Sequence, residues 1–221
     1  MLIPPKPANE AQRLAALRKL SALDTPVEER FDRITRLAVA LFRVPIAVIS
    51  LVDEDREWYK SCQGIFTKEG PREVSFCGHA ILSDETMVVA DTQRDPRFAD
   101  NPQVTGEMKI RFYAGHALHG PNGSRVGTLC IKDRRSRELD PEELQALRDL
   151  AALAEQELNL LTFRQADAEL RSAEEATPTE KEALARLTNL MVGREERIVE
   201  LKKDVNALLA ELGRPKKHNV T

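Results

Sequence analysis

The sequence predicts an α+β domain in which helices flank an antiparallel sheet, continued by a C-terminal α-helical coiled coil. Three observations predict it: two amphipathic stripes of helical period near the start, five short β-rich runs separated mainly by hairpin signals, and a heptad pattern near the end.

The elements follow in order. Leu14, Leu17, Leu20 and Leu23 recur at three-residue steps in EAQRLAALRKLSALDT and mark a short helix that stops near Asp24. Asp24-Thr25-Pro26 offers an N-cap and a proline for a first turn, and Glu28 and Glu29 suit the positive end of a helix dipole, so a second helix begins there. Its core stripe is Phe31, Ile34, Leu37, Ala38 and Leu41, ending before Val44-Pro45. PIAVISLVD is nearly all apolar and β-branched, as a strand buried on both faces should be. REWYKSCQG pairs with it across the polar turn Asp53-Glu54-Asp55. SFCGHAILSD reads as a short helix and TMVVAD as a compact strand. TQRDPRFADNPQVTGEM is rich in turn formers and long for a connection, the kind of segment that covers a site or moves. IRFYAGHALHG and RVGTLCIKDR are two more strands, joined through Asn122-Gly123, and Asp140-Pro141 caps and opens a long helix.

From Leu144, the residues Leu147, Ala151, Ala154, Leu158 and Leu161 fall on alternating three- and four-residue steps, a coiled-coil-like seam. RQADAELRSAEEATPTE loses apolar content and contains Pro178, which breaks the pattern. It returns in Leu184, Leu187, Met191, Ile198, Leu201, Val205, Leu208 and Leu212, with Arg194 the polar exception. A helix with one long apolar edge needs a partner, either a second copy in a homodimer or the preceding helix folded back. The expected organisation is an N-terminal helix over 1–25, a globular domain over 26–160, a helical linker over 161–180, a coiled coil over 181–213 and a disordered tail over 214–221.

Composition narrows the function classes. The 221 residues are 42% hydrophobic and 31% charged, too apolar for a wholly disordered chain. A net charge of -3 gives no general attraction to nucleic acid. No apolar run approaches the ~20 residues that span a bilayer, and MLIPPKPANEAQR lacks the pattern of a signal peptide, so a cytoplasmic protein without nucleic-acid or membrane partners is expected. Cys62, Cys77 and Cys130 are an odd number at wide spacings, which fits free thiols in a reducing compartment.

The blocks LSALDTPVEERFDRITRLAVALFRVPIAVISLVDEDREWYKS, PREVSFCGHAIL, VVADTQRDPRFADNPQVTGE, IRFYAGHAL and GTLCIKDRRSREL together resemble the GAF family, in the subtype found ahead of bacterial diguanylate cyclases and sensor histidine kinases. The resemblance spans roughly residues 14–155 and implies a sheet of five or six antiparallel strands, helices behind it, and a ligand pocket on the other face under short helices and loops. LTNLMVGREERIVELKKDVNALLAELGRP resembles the helical ends of bacterial sensor modules, and only GRPKKHNVT follows residue 212. The output is therefore expected in another chain, such as a sensor histidine kinase or a diguanylate cyclase.

The reactive residues are weighed against plainer roles. Cys77 and His79 in SFCGHAI have the composition of a nucleophile pair, a metal-ligand pair or a tetrapyrrole anchor. In bilin-binding relatives His follows the anchoring Cys directly, whereas Gly78 intervenes here, so Cys77 in the core and His79 bonded to backbone is the preferred reading. Period two places Cys62 on a face with Trp58 and Lys60, and Cys130 on one with Thr128. If those faces line the pocket, the thiols approach one another as a redox pair. His116 and His119, three apart on a strand, point to opposite faces and do not share a metal, and His116 is the better inward candidate for a haem. Arg111, Phe112 and Tyr113 follow the loop that carries Phe98, and the resemblance sets them near the pocket mouth, where an Arg and aromatic walls suit a small anionic or planar ligand. Packing is the alternative for Phe98 and Phe112. The cyclic-nucleotide signature of the family is not evident.

The candidate ligand contacts are thus Trp58, Cys77, His79, Phe98, Arg111, Phe112, Tyr113, His116 and Cys130, with no catalytic residue, no metal centre and the cofactor undetermined. The first functional reading is a non-enzymatic sensory module that transmits through a dimeric tail. A ligand-free dimeric scaffold and a cysteine-dependent redox or cofactor-binding protein are the alternatives.

Overall fold

A sheet covered on both faces decides where chemistry can sit. The computed structural model describes residues 1–175, of which 1–165 form one compact unit. Helices α1 (Glu10–Lys19) and α2 (Glu29–Phe42) precede strands β1 (Ile46–Val52), β2 (Arg56–Gln63) and β3 (Glu69–Pro71). A 3-10 turn at Arg72–Val74 leads to α3 (Phe76–Ala80), β4 (Met87–Val89), α4 (Pro102–Thr105), β5 (Phe112–His119), β6 (Arg125–Asp133) and α5 (Pro141–Glu175). The strands form one six-stranded sheet in the order β3-β2-β1-β6-β5-β4, and every pairing is antiparallel. Strand β3 and helix α4 are three and four residues long, too short for any periodic pattern to announce them.

β1 is buried along its whole length, as its apolar run requires. One face, here the helix face, carries Ala47, Ile49, Leu51, Trp58, Phe112, Ala114, Leu118, Leu129 and Ile131 against Leu14 and Leu17 of α1, Phe31 and Ala38 of α2, and Leu147, Ala151, Ala154 and Leu158 of α5. From Leu147 to Leu158 the seam expected to pair α5 with another helix is therefore spent on its own sheet, because that stripe faces apolar side chains of β1, β2, β5 and β6. The tail residues Leu184, Leu187, Met191, Ile198, Leu201, Val205, Leu208 and Leu212 lie outside the described residues.

Two local expectations are corrected, and a third is met. Helix α2 starts at Glu29 rather than at the Asp24-Thr25-Pro26 cap, because Asp24 takes a positive φ of 56° and turns its carboxylate to Arg56, while Thr25 accepts from Lys60 Nζ at 2.5 Å. Leu37 and Leu41 are 50% and 57% exposed, and α2 buries Thr35 and Phe42 in their place. The long segment 92–108 is a packed cover, with Phe98 and Val104 buried on the other face of the sheet. The start of α5 is as expected: Asp140 accepts from the Glu143 amide at 2.8 Å and Glu143 returns the bond to the Asp140 amide at 3.0 Å.

Candidate functional site

The second face of the sheet, the outer face, buries two charged side chains beneath a cover of short helices and loops. It carries Ile46, Val48, Val52, Tyr113 and Cys130 under Phe76, Cys77, Ala80 and Ile81 of the α3 region and Phe98, Val104 and Ile110 of the 92–110 segment. Among these apolar groups sit two charged side chains, Glu57 and Lys132, each at 1% exposure. Each ties a different part of the cover to the sheet. Glu57 accepts from Tyr59 Oη at 2.8 Å, from Ser50 Oγ at 3.4 Å and from Ser75 Oγ. Ser75 is the N-cap of α3 and accepts from the Gly78 amide at 3.0 Å, so the helix start is anchored on the glutamate. Lys132 Nζ donates to Gln103 Oε1 at 3.0 Å, and Gln103 in α4 donates in turn to the Val74 carbonyl at 2.9 Å. Burial alone would lower the Lys132 ammonium, but the negative charge of Glu57 and the neighbouring thiols outweigh it and raise it.

Aromatic rings fill the space between. Phe76 stacks on Phe98 at 4.4 Å and on Tyr113 at 5.1 Å between centroids, and Lys132 Nζ lies 5.6 Å from the Phe76 centroid. Tyr113 lies flat because Gly115, two residues on, has no side chain where its hydroxyl rests. That hydroxyl donates to Cys77 Sγ at 3.5 Å, and Cys77 Sγ is 3.7 Å from Cys130 Sγ.

The CGH segment of α3 divides its contacts three ways. Cys77 faces the sheet, and a side chain at Gly78 would meet Pro4 Cγ at 2.8 Å. His79 Nε2 lies 3.0 Å from the Leu2 carbonyl, with its ring edge-on to Phe98 at 5.0 Å. Burial lowers the His79 imidazole below its ordinary range. The Leu2 amide also donates to the Arg97 carbonyl at 3.0 Å, so the N-terminal arm lies across the back of the cover.

Of the nine candidate contacts, the structure brings Cys77, Phe98, Tyr113 and Cys130 together on the outer face and sets His79 at its margin. The other four go elsewhere. Trp58 and Phe112 pack in the helix-face core. The period-two count fails on β2 because a bulge at Ile49/Ser50 leaves Lys60 as an extra residue, so Cys62 packs on the outer face while Trp58 does not. Arg111 stands at the end of the sheet, gripping Asp91 through two bonds of 3.0 and 2.8 Å. His116 pairs with Leu129, on the helix side of β5, and its Nδ1 is 3.0 Å from Thr86 Oγ1, which removes it from any haem position on the outer face.

His119 departs from the alternation through a second bulge, between Leu118 and His119. Its Nδ1 lies 2.9 Å from Glu155 of α5 and its Nε2 3.0 Å from Asp84. Burial alone would lower its pKa, but the two carboxylates raise it above 6.5. A folded pKa above the unfolded value stabilises the fold fully below about pH 6.5 and loses that contribution as pH rises through the raised value. The melting temperature should accordingly fall between pH 6 and 8 in the native chain, and His119→Asn should flatten that stretch of the pH profile.

Glu57, Ser50, Ser75, Gln103 and Lys132, the polar frame of the site, were not among the candidates. The parity of Lys132 with Cys130 and the pairing of REWYKS with PIAVIS contain the signal, since both charges fall on the face that holds the thiols.

Comparison with known proteins agrees with the architecture. Residues 26–158 match the family model described as GAF domain. The chain is 41% identical over 153 residues to a cyclic di-GMP phosphodiesterase of Pseudomonas aeruginosa, which covers 69% of this chain but only 25% of that relative. Among solved structures, the blue-light absorbing form of the PixJ GAF domain of Thermosynechococcus elongatus aligns with a TM-score of 0.54 at 14% identity, over 72% of this chain and 96% of that one. The free methionine-R-sulfoxide reductase of Neisseria meningitidis, in complex with its substrate, aligns with a TM-score of 0.51 at 19% identity, over 75% and 98%. At such identities the two structures share the fold alone. No helix among the described residues is long and apolar enough to cross a membrane. The family match, covering more than half of the sequence and the same six-stranded sheet with its helical layer, places this chain in the GAF domain family, a family of signalling and sensory modules.

Proposed function

We propose that this chain is a non-catalytic cytoplasmic sensor of the bacterial signalling subtype, which takes a small molecule on the outer face and passes the state of that face to a dimeric helical tail. The observation that carries the reading is the attachment of the cover by two buried charges of opposite sign, Glu57 through Ser75 and Lys132 through Gln103. A ligand with polar groups can exchange for those bonds and so move α3 and α4, and buried polar groups reward only a partner that satisfies them. The route outward is through β5, whose last residue His119 is bonded to Glu155 on α5, the helix that continues toward the heptads. The Pseudomonas relative supports an output enzyme of cyclic di-GMP signalling as the partner class, alongside the sensor kinases and diguanylate cyclases suggested by the sequence.

Native and denaturing mass spectra of the freshly purified chain, beside Glu57→Gln, test both halves. The expected result is a dimer that carries a small-molecule mass in the native spectrum and loses it in the variant. A bare native-state chain identical to the variant overturns the ligand, and a monomer at micromolar concentration overturns the paired tail.

A further inference from the structure

Two thiols meet on the outer face, apart from the two charges that anchor the cover. Cys77 and Cys130 are 1% and 0% exposed, and their sulfurs are 3.7 Å apart. They belong to different layers, Cys77 to the five-residue helix α3 in the cover and Cys130 to the centre of β6 in the sheet. A disulfide holds its sulfurs ~2 Å apart, so rotation of the two thiols and a small settling of α3 close the gap.

Their surroundings make them unequal. Tyr113 Oη donates to Cys77 Sγ at 3.5 Å, and Lys132 lies two residues along β6 from Cys130 on the same face. Burial opposes the Cys77 thiolate, but the bond with Cys130 and the Lys132 charge outweigh it and bring Cys77 below the usual thiol range. The bond to Cys77 and burial push Cys130 well above that range. The Tyr113 hydroxyl on its sulfur and its place in the short cover helix mark Cys77 as the attacking thiol, and Cys130, fixed in the middle of the sheet, as the resolving one. Cys62 stands apart, bonded to the Ile65 carbonyl at 3.6 Å, with its thiol pushed up by burial.

We propose that Cys77 and Cys130 are an oxidisable dithiol, a modification site for hydroperoxides, and that its disulfide staples α3 to β6 and fixes the cover on the sheet. In the first step Cys77 sulfur takes one peroxide oxygen, the O–O bond breaks, and the thiol proton leaves with the other oxygen as water or alcohol. In the second, Cys130 sulfur attacks the sulfenic sulfur of Cys77, the S–O bond breaks, and a second water departs with the Cys130 proton. Two thiols have lost two electrons, the peroxide has gained them, and a dithiol reductant reverses the change. α3, only five residues long, is the element whose opening admits the peroxide. The dithiol stands whether or not the outer face holds a ligand, so its test and the ligand test fail independently.

The full chain, kept native, is titrated with hydrogen peroxide, then denatured and alkylated for intact mass and peptide mapping. The expected result is loss of two of its three alkylatable thiols, a linked peptide joining Cys77 to Cys130, and recovery of all three with dithiothreitol. Cys62→Ser should behave alike, and Cys130→Ser should halt at a sulfenic acid on Cys77 that dimedone traps. Hydrogen exchange over residues 76–80 should slow in the oxidised chain. Full alkylation of Cys77 and Cys130 after peroxide, or oxygen added only to Cys62, overturns the dithiol. Unchanged exchange in a linked chain overturns the staple. The mapping needs only the native sequence, so a variant that does not fold leaves the result decided.

Discussion

Replacing Glu10 with glutamine should cost the fold about 3 kcal/mol at neutral pH, and the cost should vanish in acid. Glu10 opens α1 and sits between two guanidiniums that are almost entirely buried. Arg13 grips it with two bonds of 2.8 Å and donates to the Val52 carbonyl at 2.6 Å. Arg72 reaches the same carboxylate at 2.5 Å and the Asp53 carbonyl at 2.8 Å, while its Nε and one terminal nitrogen are buried without a partner. Burial of Glu10 works against its charge, but the two arginines outweigh it and hold the carboxyl down to about 2. A lowered folded pKa stabilises above the unfolded value of 4.5 and is lost as pH falls toward about 2. Urea unfolding of the native chain and E10Q should therefore differ most above pH 5 and converge near pH 2. Parallel curves across that range would mean that the carboxylate is not the counter-charge of Arg13 and Arg72 in solution.

Gly127→Val should leave little folded protein. Gly127 lies in β6 opposite Leu51 of β1 and Leu118 of β5, in the middle of the sheet. A β-carbon there collides with the Ser50 carbonyl and comes 3.1 Å from Leu51 Cα. Both are backbone of a paired strand and cannot give way singly, so the cost is about 3 kcal/mol or more. Gly123 is the control. A side chain there meets nothing within 4 Å, yet its φ of 75° is left-handed, so Gly123→Ala should cost about 1–2 kcal/mol through backbone strain alone. Thermal melts of the three chains separate steric collision from strain, and a native-like melt for Gly127→Val would contradict the β1–β6 register.

The fold was legible because its longest elements carry strong periodic text. PIAVISLVD, IRFYAGHAL and GTLCIKD are the centre of the sheet, and the Asp140-Pro141 start of α5 is a local capping event that needs no tertiary context. The site was legible only in part. Cys77, Phe98, Tyr113 and Cys130 fall together as that reading allowed, but the two bulges shift side-chain parity at Lys60 and at His119, and no one-dimensional count sees an inserted residue. Glu57 and Lys132 were passed over for a different reason. Charged residues in a strand are ordinarily solvated, and only the cover laid on them by distant segments turns them into buried anchors.

The three residues of the CGH turn have a mechanical consequence. Cys77 presses on the sheet, Gly78 receives Pro4, and His79 holds the Leu2 carbonyl, so the same short turn touches the protein's first residues behind and its buried thiols in front. The arm thus holds the cover at separate points, α3 through His79 and the 92–108 segment through Arg97 and Asp100, so removing it should loosen both together.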